Sequence, residues 1–430
     1  MGTDTAILST LGQLIQQYRR DQGVTFQQLS DRTGVKQESI VNIENGISKR
    51  PDYFTIQSLA TALNIPLIEI VERFLLIEQR SEELLHMLKE SASMKNASIT
   101  TNIAFHFLAS QDEDSFTLLH KLYDTVQQLI CDAPTKLFLY DIIINFGRSH
   151  GIQSCTAKGA LQKYFVERND FSKLQETFYS GKYVLHYVPY LSNEERISLY
   201  YKLGVHAYNL RKFDECIELC EKVIIEDEVD SNFKAYSTLA ICSSYYYQEK
   251  YDLAEVYLGI LSSFDSSIVD ENILLMTGLL NSKKGEVDLA IKQLQQSFQT
   301  AAIKINVVTE LFDLYLFKNN FEAIEDLLKM EFQFTESNMM NPYLYSEYAH
   351  YYLKKGGYLS RVGQCDEAVD SLVKSIAMFG KINGLEGVYE CMELMFHALN
   401  NNSNSKAEMQ EKVTRLFMDL KLVNVKENPK

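Results

Sequence analysis

Read from its amino end, the chain spaces its apolar residues for helices almost throughout. Ile7, Leu8, Leu11, Leu14, Ile15 and Tyr18 recur at three- and four-residue steps, which predicts a first amphipathic helix closed by Gly23. Thr25 can cap a second short helix, FQQLSDRT, in which Phe26 and Leu29 share a face, and Gly34 supplies a tight turn of positive φ. A third helix is expected over 36–44, with Val35, Ile40 and Ile43 turned inward and Lys36, Gln37, Glu38, Ser39 and Asn42 facing out. The loop ISKRP comes after Asn45 and Gly46. A fourth helix, DYFTIQSLATALNI, is expected to bury Phe54, Ile56, Leu59, Ala60 and Leu63. From Leu67 the stretch LIEIVERFLLIEQRSEELLHMLKE reads as one continuing spacer helix that thins into the polar SASMKNAS.

Beyond that break the helical pattern repeats. ISLYYKLGVHAYNLRKFDECIELCEKV places Tyr200, Leu203, Gly204, Phe213 and Cys216 at the offsets of a tetratricopeptide repeat, the TPR. Cys242, Tyr245, Tyr251 and Ala254 continue in the same phase, then Gly278, Val287 and Ala290, then Tyr315, Phe321 and Ile324. The position that packs helix on helix falls at 216, 254, 290 and 324, steps of 38, 36 and 34 residues. Weaker units stand before these at LQKYFVERNDFSKLQETF and after them at YLSRVGQCDEAVDSLVKSI. NNNSNSK marks a loop, and AEMQEKVTRLFMDL a closing helix. Stacked pairs of this kind curve into a right-handed superhelix whose concave wall is the first helix of each pair. The residues in phase to face inward are Tyr201, Tyr208, Asn209, Tyr236, Ser243, Tyr246, Tyr247, Asn272, Asn306 and Asp313. Tyr offers area with a hydroxyl, and Asn can donate to and accept from a peptide backbone at once, so these are the candidate peptide-binding residues. Core packing is the competing role for about half of the tyrosines.

Composition sharpens this picture. Gly (19) and Pro (6) are scarce in 430 residues, which favours an all-α chain over sheet folds. No apolar run is long enough for a membrane span and no export leader is evident, so the chain is expected to be cytoplasmic, with its seven cysteines as buried thiols. Residues 1–66 hold six bases and six acids, so the net charge of −15 belongs entirely to residues 67–430. Such a field repels a polyanion, and any nucleic-acid contact has to come from the front segment. No phosphate loop, dinucleotide fingerprint, HExxH or paired CxxC is present, so no enzyme and no cofactor or metal is expected. Cys216 with Cys220, and His150 with Cys155, are the two weak exceptions.

Short helix, Gly turn, short helix with a polar outer face is the layout in which the second helix enters the major groove of duplex DNA. Gln and Asn pair bidentately with adenine, Lys reaches guanine or phosphate, and Lys49 and Arg50 stand where a duplex backbone would pass. From Leu11 to Pro66, including LSDRTGVKQESIVNIENG and IQSLATALNI, the segment resembles the Cro and phage-repressor (XRE-type) helix-turn-helix. The resemblance implies a structural pair between Arg19 and Glu44, base readers at Gln37, Glu38 and Asn42, and backbone contacts at Asn45, Lys49 and Arg50. Phe26 stands where that family often has a DNA-touching Gln, and the contact is not carried over.

An XRE-type head joined to a TPR array resembles the RRNPP family of Gram-positive peptide-sensing regulators and their phage relatives, the arbitrium receptors. The length is more like the NprR or arbitrium type than the shorter PlcR type. The resemblance implies a homodimeric transcription regulator that binds an operator in double-stranded DNA and a short linear oligopeptide re-imported from outside the cell. Expected domains are 1–77 for DNA binding, 78–98 as linker, 99–400 as peptide-sensing superhelix and 401–430 as cap and tail. Two other roles fit the same pattern: a Rap-like protein that sequesters or dephosphorylates a response regulator, and a constitutive phage-type repressor whose repeats only oligomerise.

Overall fold

The computed structural model describes residues 10–77, 80–92, 96–170, 173–229, 231–264, 267–301, 303–335, 342–382 and 384–401, together with Glu411 and Thr414. Among them there are 23 α-helices, a short 3-10 segment at Leu185–Tyr190, and no strand. The chain is all-α. It divides into two compact units, residues 1–167 with 184–191, and residues 168–183 with 192–430.

The first unit begins with five short helices: α1 (Leu11–Asp21), α2 (Phe26–Thr33), α3 (Gln37–Glu44), α4 (Tyr53–Ala62) and α5 (Leu67–Phe74). Their ends are set locally. Thr10 and Thr25 each form a capping box with the Gln three residues on, and Gly34 closes α2 in the left-handed region at φ 72°. Ile7 and Leu8 lie outside the described residues, and α1 starts at Leu11. A side chain at Gly12 would collide with the Ile43 carbonyl, so α1 and α3 approach closely only because this position is glycine.

Two expectations are corrected here. In α4 the buried aromatic is Tyr53, at 0% exposure, while Phe54 is 51% exposed. Tyr53 lies in line with Ile56, Leu59 and Leu63, and its hydroxyl donates to Glu90, so it takes the inner face. The expected spacer is not one helix: α5 stops at Phe74 and α6 (Ser81–Ser91) starts afresh. Helix α6 is no bare spacer either, because Glu90 also accepts from Gln57, and Leu84, Met87 and Leu88 are buried.

Helices α7 (Ala97–Leu108), α8 (Ser115–Gln128), α9 (Ala133–Ser149) and α10 (Gln153–Glu167) extend the same core. One buried apolar cluster runs from Leu11 to Cys155. The expected pairing of His150 with Cys155 does not form. His150 stacks on Phe146 at 3.8 Å, and Cys155 is fully buried, which pushes its thiol pKa up. Of the polar stretch SASMKNAS, residues 93–95 lie outside the described residues.

The second unit holds α11 (Leu174–Val184) and then five hairpins: α12 (Asn193–Asn209) with α13 (Phe213–Glu226), α14 (Asn232–Tyr247) with α15 (Tyr251–Leu261), α16 (Ser267–Lys283) with α17 (Val287–Thr300), α18 (Ile305–Phe317) with α19 (Phe321–Lys329), and, after the one-turn α20 (Phe332–Thr335), α21 (Pro342–Arg361) with α22 (Cys365–Lys381). Helix α23 (Leu385–Asn401) packs on both helices of the fifth. Each first helix touches its own partner and the first helix of the next hairpin: α12 meets α13 and α14, α14 meets α15 and α16, α16 meets α17 and α18, and α18 meets α19 and α21. That is the contact scheme of a TPR-like stack.

The same turn joins the two helices of every hairpin. A left-handed residue stands five positions before each packing position: Arg211 (φ 56°), Glu249 (φ 60°), Gly285 (φ 84°), Asn319 (φ 53°) and Gly363 (φ 84°) precede Cys216, Ala254, Ala290, Ile324 and Ala368. The next amide reaches back to the carbonyl five residues earlier, Lys212 to Ala207 at 2.9 Å and Gln364 to Leu359 at 2.9 Å, which satisfies helix-end carbonyls in the Schellman manner. Cys216, Ala254, Ala290, Ile324 and Ala368 are all 0% exposed. Opposite them a Cβ on Gly204 would sit 2.7 Å from Cys220 Sγ, and one on Gly356 would sit 2.6 Å from Leu372 Cγ. The closing helix expected over 407–420 lies outside the described residues apart from Glu411 and Thr414.

Candidate functional site

Two surfaces carry polar chemistry. On the first unit, α3 sits on the Arg19–Glu44 pair. Arg19 Nε and Nη2 donate to Glu44 Oε1 and Oε2 at 2.6 and 2.7 Å, and Nη1 donates to the Val24 carbonyl at 3.0 Å. Both side chains are buried, so this fork joins α1 to the end of α3 in a low-dielectric setting. Phe26 lies 3.9 Å from the same guanidinium, which explains an aromatic at that position: it covers the ion pair.

Outward from this support Lys36 stands at the N-terminal boundary of α3, and Gln37 and Glu38 are exposed on its first turn. Ser39 and Asn42 are half-buried further along, and Asn45, Lys49 and Arg50 are exposed in the loop beyond. Gln37 donates to Gln27 on α2. The Asn42 carbonyl accepts from the Ile47 and Ser48 amides at 2.9 and 3.1 Å, which folds the loop bearing Lys49 back onto α3. The eight residues therefore stand on α3 and the loop after it, with the exposed Ile47 among them.

On the second unit, a cavity of ≈ 940 Å³ opens along the first helices of the five hairpins. All ten residues in phase to face inward line it: Tyr201, Tyr208 and Asn209 from α12, Tyr236, Ser243, Tyr246 and Tyr247 from α14, Asn272 from α16, and Asn306 and Asp313 from α18. Their environments differ. Tyr246 is largely buried and Tyr247 is 40% exposed. Tyr201 lies tilted against Phe233 at 4.9 Å and Tyr236 at 6.0 Å, and burial pushes its hydroxyl up to about 12. Asp313 is not free, because it accepts from Lys354. Asn306 Oδ1 is buried without a hydrogen-bond partner.

One wall of the cavity is not announced by the repeat phase. Helix α21 contributes Tyr343, Glu347, His350 and Lys354, spaced by four, three and four residues on one face. Tyr343 comes within 6.1 Å of Tyr208, so the fifth hairpin meets the first across the cavity. Burial pushes Glu347 up to about 7, against the opposing pull of Lys354 and Arg211 and with a further push from Glu310. At the other end Arg168 and His206 line the wall. His206 is held down to about 4 by burial and by Arg168, although the Leu174 carbonyl at 2.9 Å favours its charged form. The sequence signal for α21 is a polar and aromatic stripe. The step from 324 to 368 is 44 residues, however, and this takes the helix out of phase.

Cys216 and Cys220 place their sulfurs 4.0 Å apart in the buried seam between α12 and α13. Among the described residues no group of three or more His, Cys, Asp or Glu side chains is placed to hold a metal ion. No helix among them is long and apolar enough to cross a membrane.

Residues 15–70 match the helix-turn-helix family model. The chain thus joins a helix-turn-helix segment of the XRE type to TPR-like helical repeats. No curated protein sequence matches it. Among solved structures it is similar to a tetratricopeptide repeat protein from Parabacteroides merdae, at 16% identity over 64% of this chain and 98% of that one, with a TM-score of 0.49. It is also similar to phAimR, at 13% identity over 97% and 99% with a TM-score of 0.37. A third is Bacillus thuringiensis PlcR, solved in complex with the peptide PapR7 and DNA, at 16% identity over 90% and 98% with a TM-score of 0.23.

Proposed function

We propose that this chain is a cytosolic transcription regulator. Its helix-turn-helix segment reads an operator in double-stranded DNA as a homodimer, and its repeat cavity binds a short linear oligopeptide that tunes that reading. The observation that carries the proposal is the gathering of ten independently phased Tyr, Asn, Ser and Asp side chains on one cavity, in a chain whose residues 15–70 match the helix-turn-helix model.

In this reading residues 1–77 hold the DNA face. Gln37, Glu38 and Asn42 meet base edges, Lys36 and Ser39 flank them, and Asn45, Lys49 and Arg50 meet phosphates. The pairing of Arg19 with Glu44 fixes the tilt of α3. Two such heads must stand about one helical turn apart, or a multiple of it, to engage both half-sites. A peptide favouring one curvature of the hairpin stack over another shifts that spacing, and the coupling is bounded by its differential affinity for the two states, typically about 1–3 kcal/mol.

Native mass spectrometry of the full chain taken from the cytosol of its own cells tests this directly. The expected spectrum shows twice the 49.5 kDa chain mass plus a short oligopeptide. Selection of random-sequence duplexes before and after removal of the peptide should then return a two-fold symmetric site whose affinity changes with peptide. A peptide-free monomer that selects no duplex ends the proposal.

A further inference from the structure

We infer that the cavity contains a cation subsite centred on Glu347, which takes a positively charged nitrogen of the bound peptide. The inference rests on the peptide-binding proposal and deepens it. Three features converge on this point of the wall.

The first is an acid with no counter-ion in contact. Its neighbours are provided for: Asp313 accepts from Lys354, and Glu310 accepts from Ser282 at 2.9 Å and faces Lys283 at 3.4 Å. Among the described residues Glu347 has no hydrogen bond or contact ion pair, only the longer-range pull of Lys354 and Arg211. The second is an orphaned acceptor in the same cavity, the buried Asn306 Oδ1. The third is the aromatic surround. Tyr208 lies 6.1 Å from Tyr247 and 6.1 Å from Tyr343, and all three hydroxyls are raised by the Glu347 charge as well as by their burial.

Two acceptors without a donor, walled by tyrosine rings, match a group that only donates. An ammonium offers three N–H donors and a guanidinium five, and neither brings an acceptor of its own. Ring faces attract the same cations, which is how aromatic cages hold ammonium groups. A half-buried carboxylate with no counter-ion in contact gains from such a partner, so the pocket favours a charged nitrogen over a neutral one. That nitrogen is either the peptide's terminal ammonium or a Lys or Arg side chain.

The test passes an equimolar library of random hexapeptides, half of them acetylated at the amino end, over the immobilised full-length chain and sequences the retained fraction. The wild-type protein should enrich peptides carrying a cation by about ten-fold or more. Enrichment confined to the free-amine half assigns the terminal ammonium; enrichment of Lys or Arg in both halves assigns the side chain. Glu347→Gln should abolish the preference, Glu347→Asp should keep part of it, and Glu347→Lys should turn it toward Asp and Glu. Cationic preference surviving in Glu347→Gln, or a wild-type preference for neutral peptides, overturns the subsite alone. Retention of no hexapeptide by a wild-type protein with an intact helical spectrum overturns the peptide-binding proposal, and the subsite with it.

Discussion

Replacing Glu347 with Gln should make the protein's stability less sensitive to pH, and the burial of Glu347 sets the sign and the order of magnitude. A glutamate's ordinary value is 4.5, and burial pushes Glu347 up to about 7. A carboxylate raised in the folded state contributes fully below 4.5 and loses that contribution as pH climbs through 7. At about 1.4 kcal/mol per pKa unit the full loss is on the order of 3 kcal/mol, of which under a third has already gone at pH 5 and nearly all at pH 8. Wild type should therefore lose roughly 2–3 kcal/mol relative to Glu347→Gln between pH 5 and pH 8. The charged groups around the carboxylate are Lys354, Arg211 and Glu310, and the tyrosines Tyr208, Tyr247 and Tyr343 stay neutral across this window. His350, which burial holds below its usual value, titrates in both proteins and cancels in the difference. Urea unfolding followed by far-ultraviolet circular dichroism suits a chain without Trp. A difference between the two proteins that stays flat from pH 5 to pH 8 would show that Glu347 faces water, and would remove the physical basis of the cation subsite.

Other positions make sharper or simpler statements. Arg19→Ala leaves a buried Glu44 carboxylate unpaired and should cost about 3–5 kcal/mol, seen as an early urea transition, with Arg19→Lys recovering only part because Lys cannot make the two-pronged bond. Gly204→Val should cost about 1–3 kcal/mol, since its Cβ would press on Cys220 Sγ, and Cys220→Ala in the same chain should return much of the loss, a coupling that a double-mutant cycle measures. Glu249→Gly relieves a left-handed residue and should raise the urea midpoint, a gain of about 0.5–1 kcal/mol once the added chain entropy of Gly is subtracted. On the DNA face, Asn42→Ala should relax base preference at a cost of about 1–3 kcal/mol, whereas Lys49→Ala should weaken all sequences alike and lower the salt slope by about one; identical behaviour in a filter-binding series refutes the division between base and phosphate contacts.

How far the sequence could be read depended on whether the deciding partner was local. Thr25, Gln28 and Gly34 announce α2 because caps act within four residues. Tyr53 and Phe54 are adjacent aromatics at a helix start, and periodicity alone leaves either free to turn inward. The deciding contact is Glu90, 37 residues away on α6. The stop after Phe74 carries no Gly or Pro between it and Ser81, so nothing in the chain flags it. In the repeats, phase alone was enough for the inner walls of α12, α14, α16 and α18. It failed at α21, where the longer step before Ala368 shifted the register and hid Tyr343, Glu347, His350 and Lys354. Arg211 and Glu249 likewise occupy the left-handed turn that Gly285 and Gly363 advertise, and only their common spacing to the packing position betrays them.

On α12 the residues that fix the hairpin and those that face the cavity are largely different sets, whereas on α14 and α16 Tyr246 and Met276 serve in both. On α12, Leu203, Gly204 and Ala207 are buried, with Gly204 pressed against α13, while Tyr201, Val205 and Tyr208 face the opening. On α12 cavity chemistry can therefore change without loosening the stack, while on α14 and α16 it cannot. The contact of Tyr208 with Tyr343 adds a constraint that a simple open array lacks, because it joins the first hairpin to the fifth. That contact couples the four interface rotations between them, even though each is free to vary slightly. In the proposed function, a peptide held between Glu347 on one side and Tyr208 on the other would act on those coupled rotations directly. A fraction of an ångström at the seam is then spread over four packed interfaces, each too dense to deform continuously. On that proposal the stack would answer by changing curvature as a whole rather than by local give.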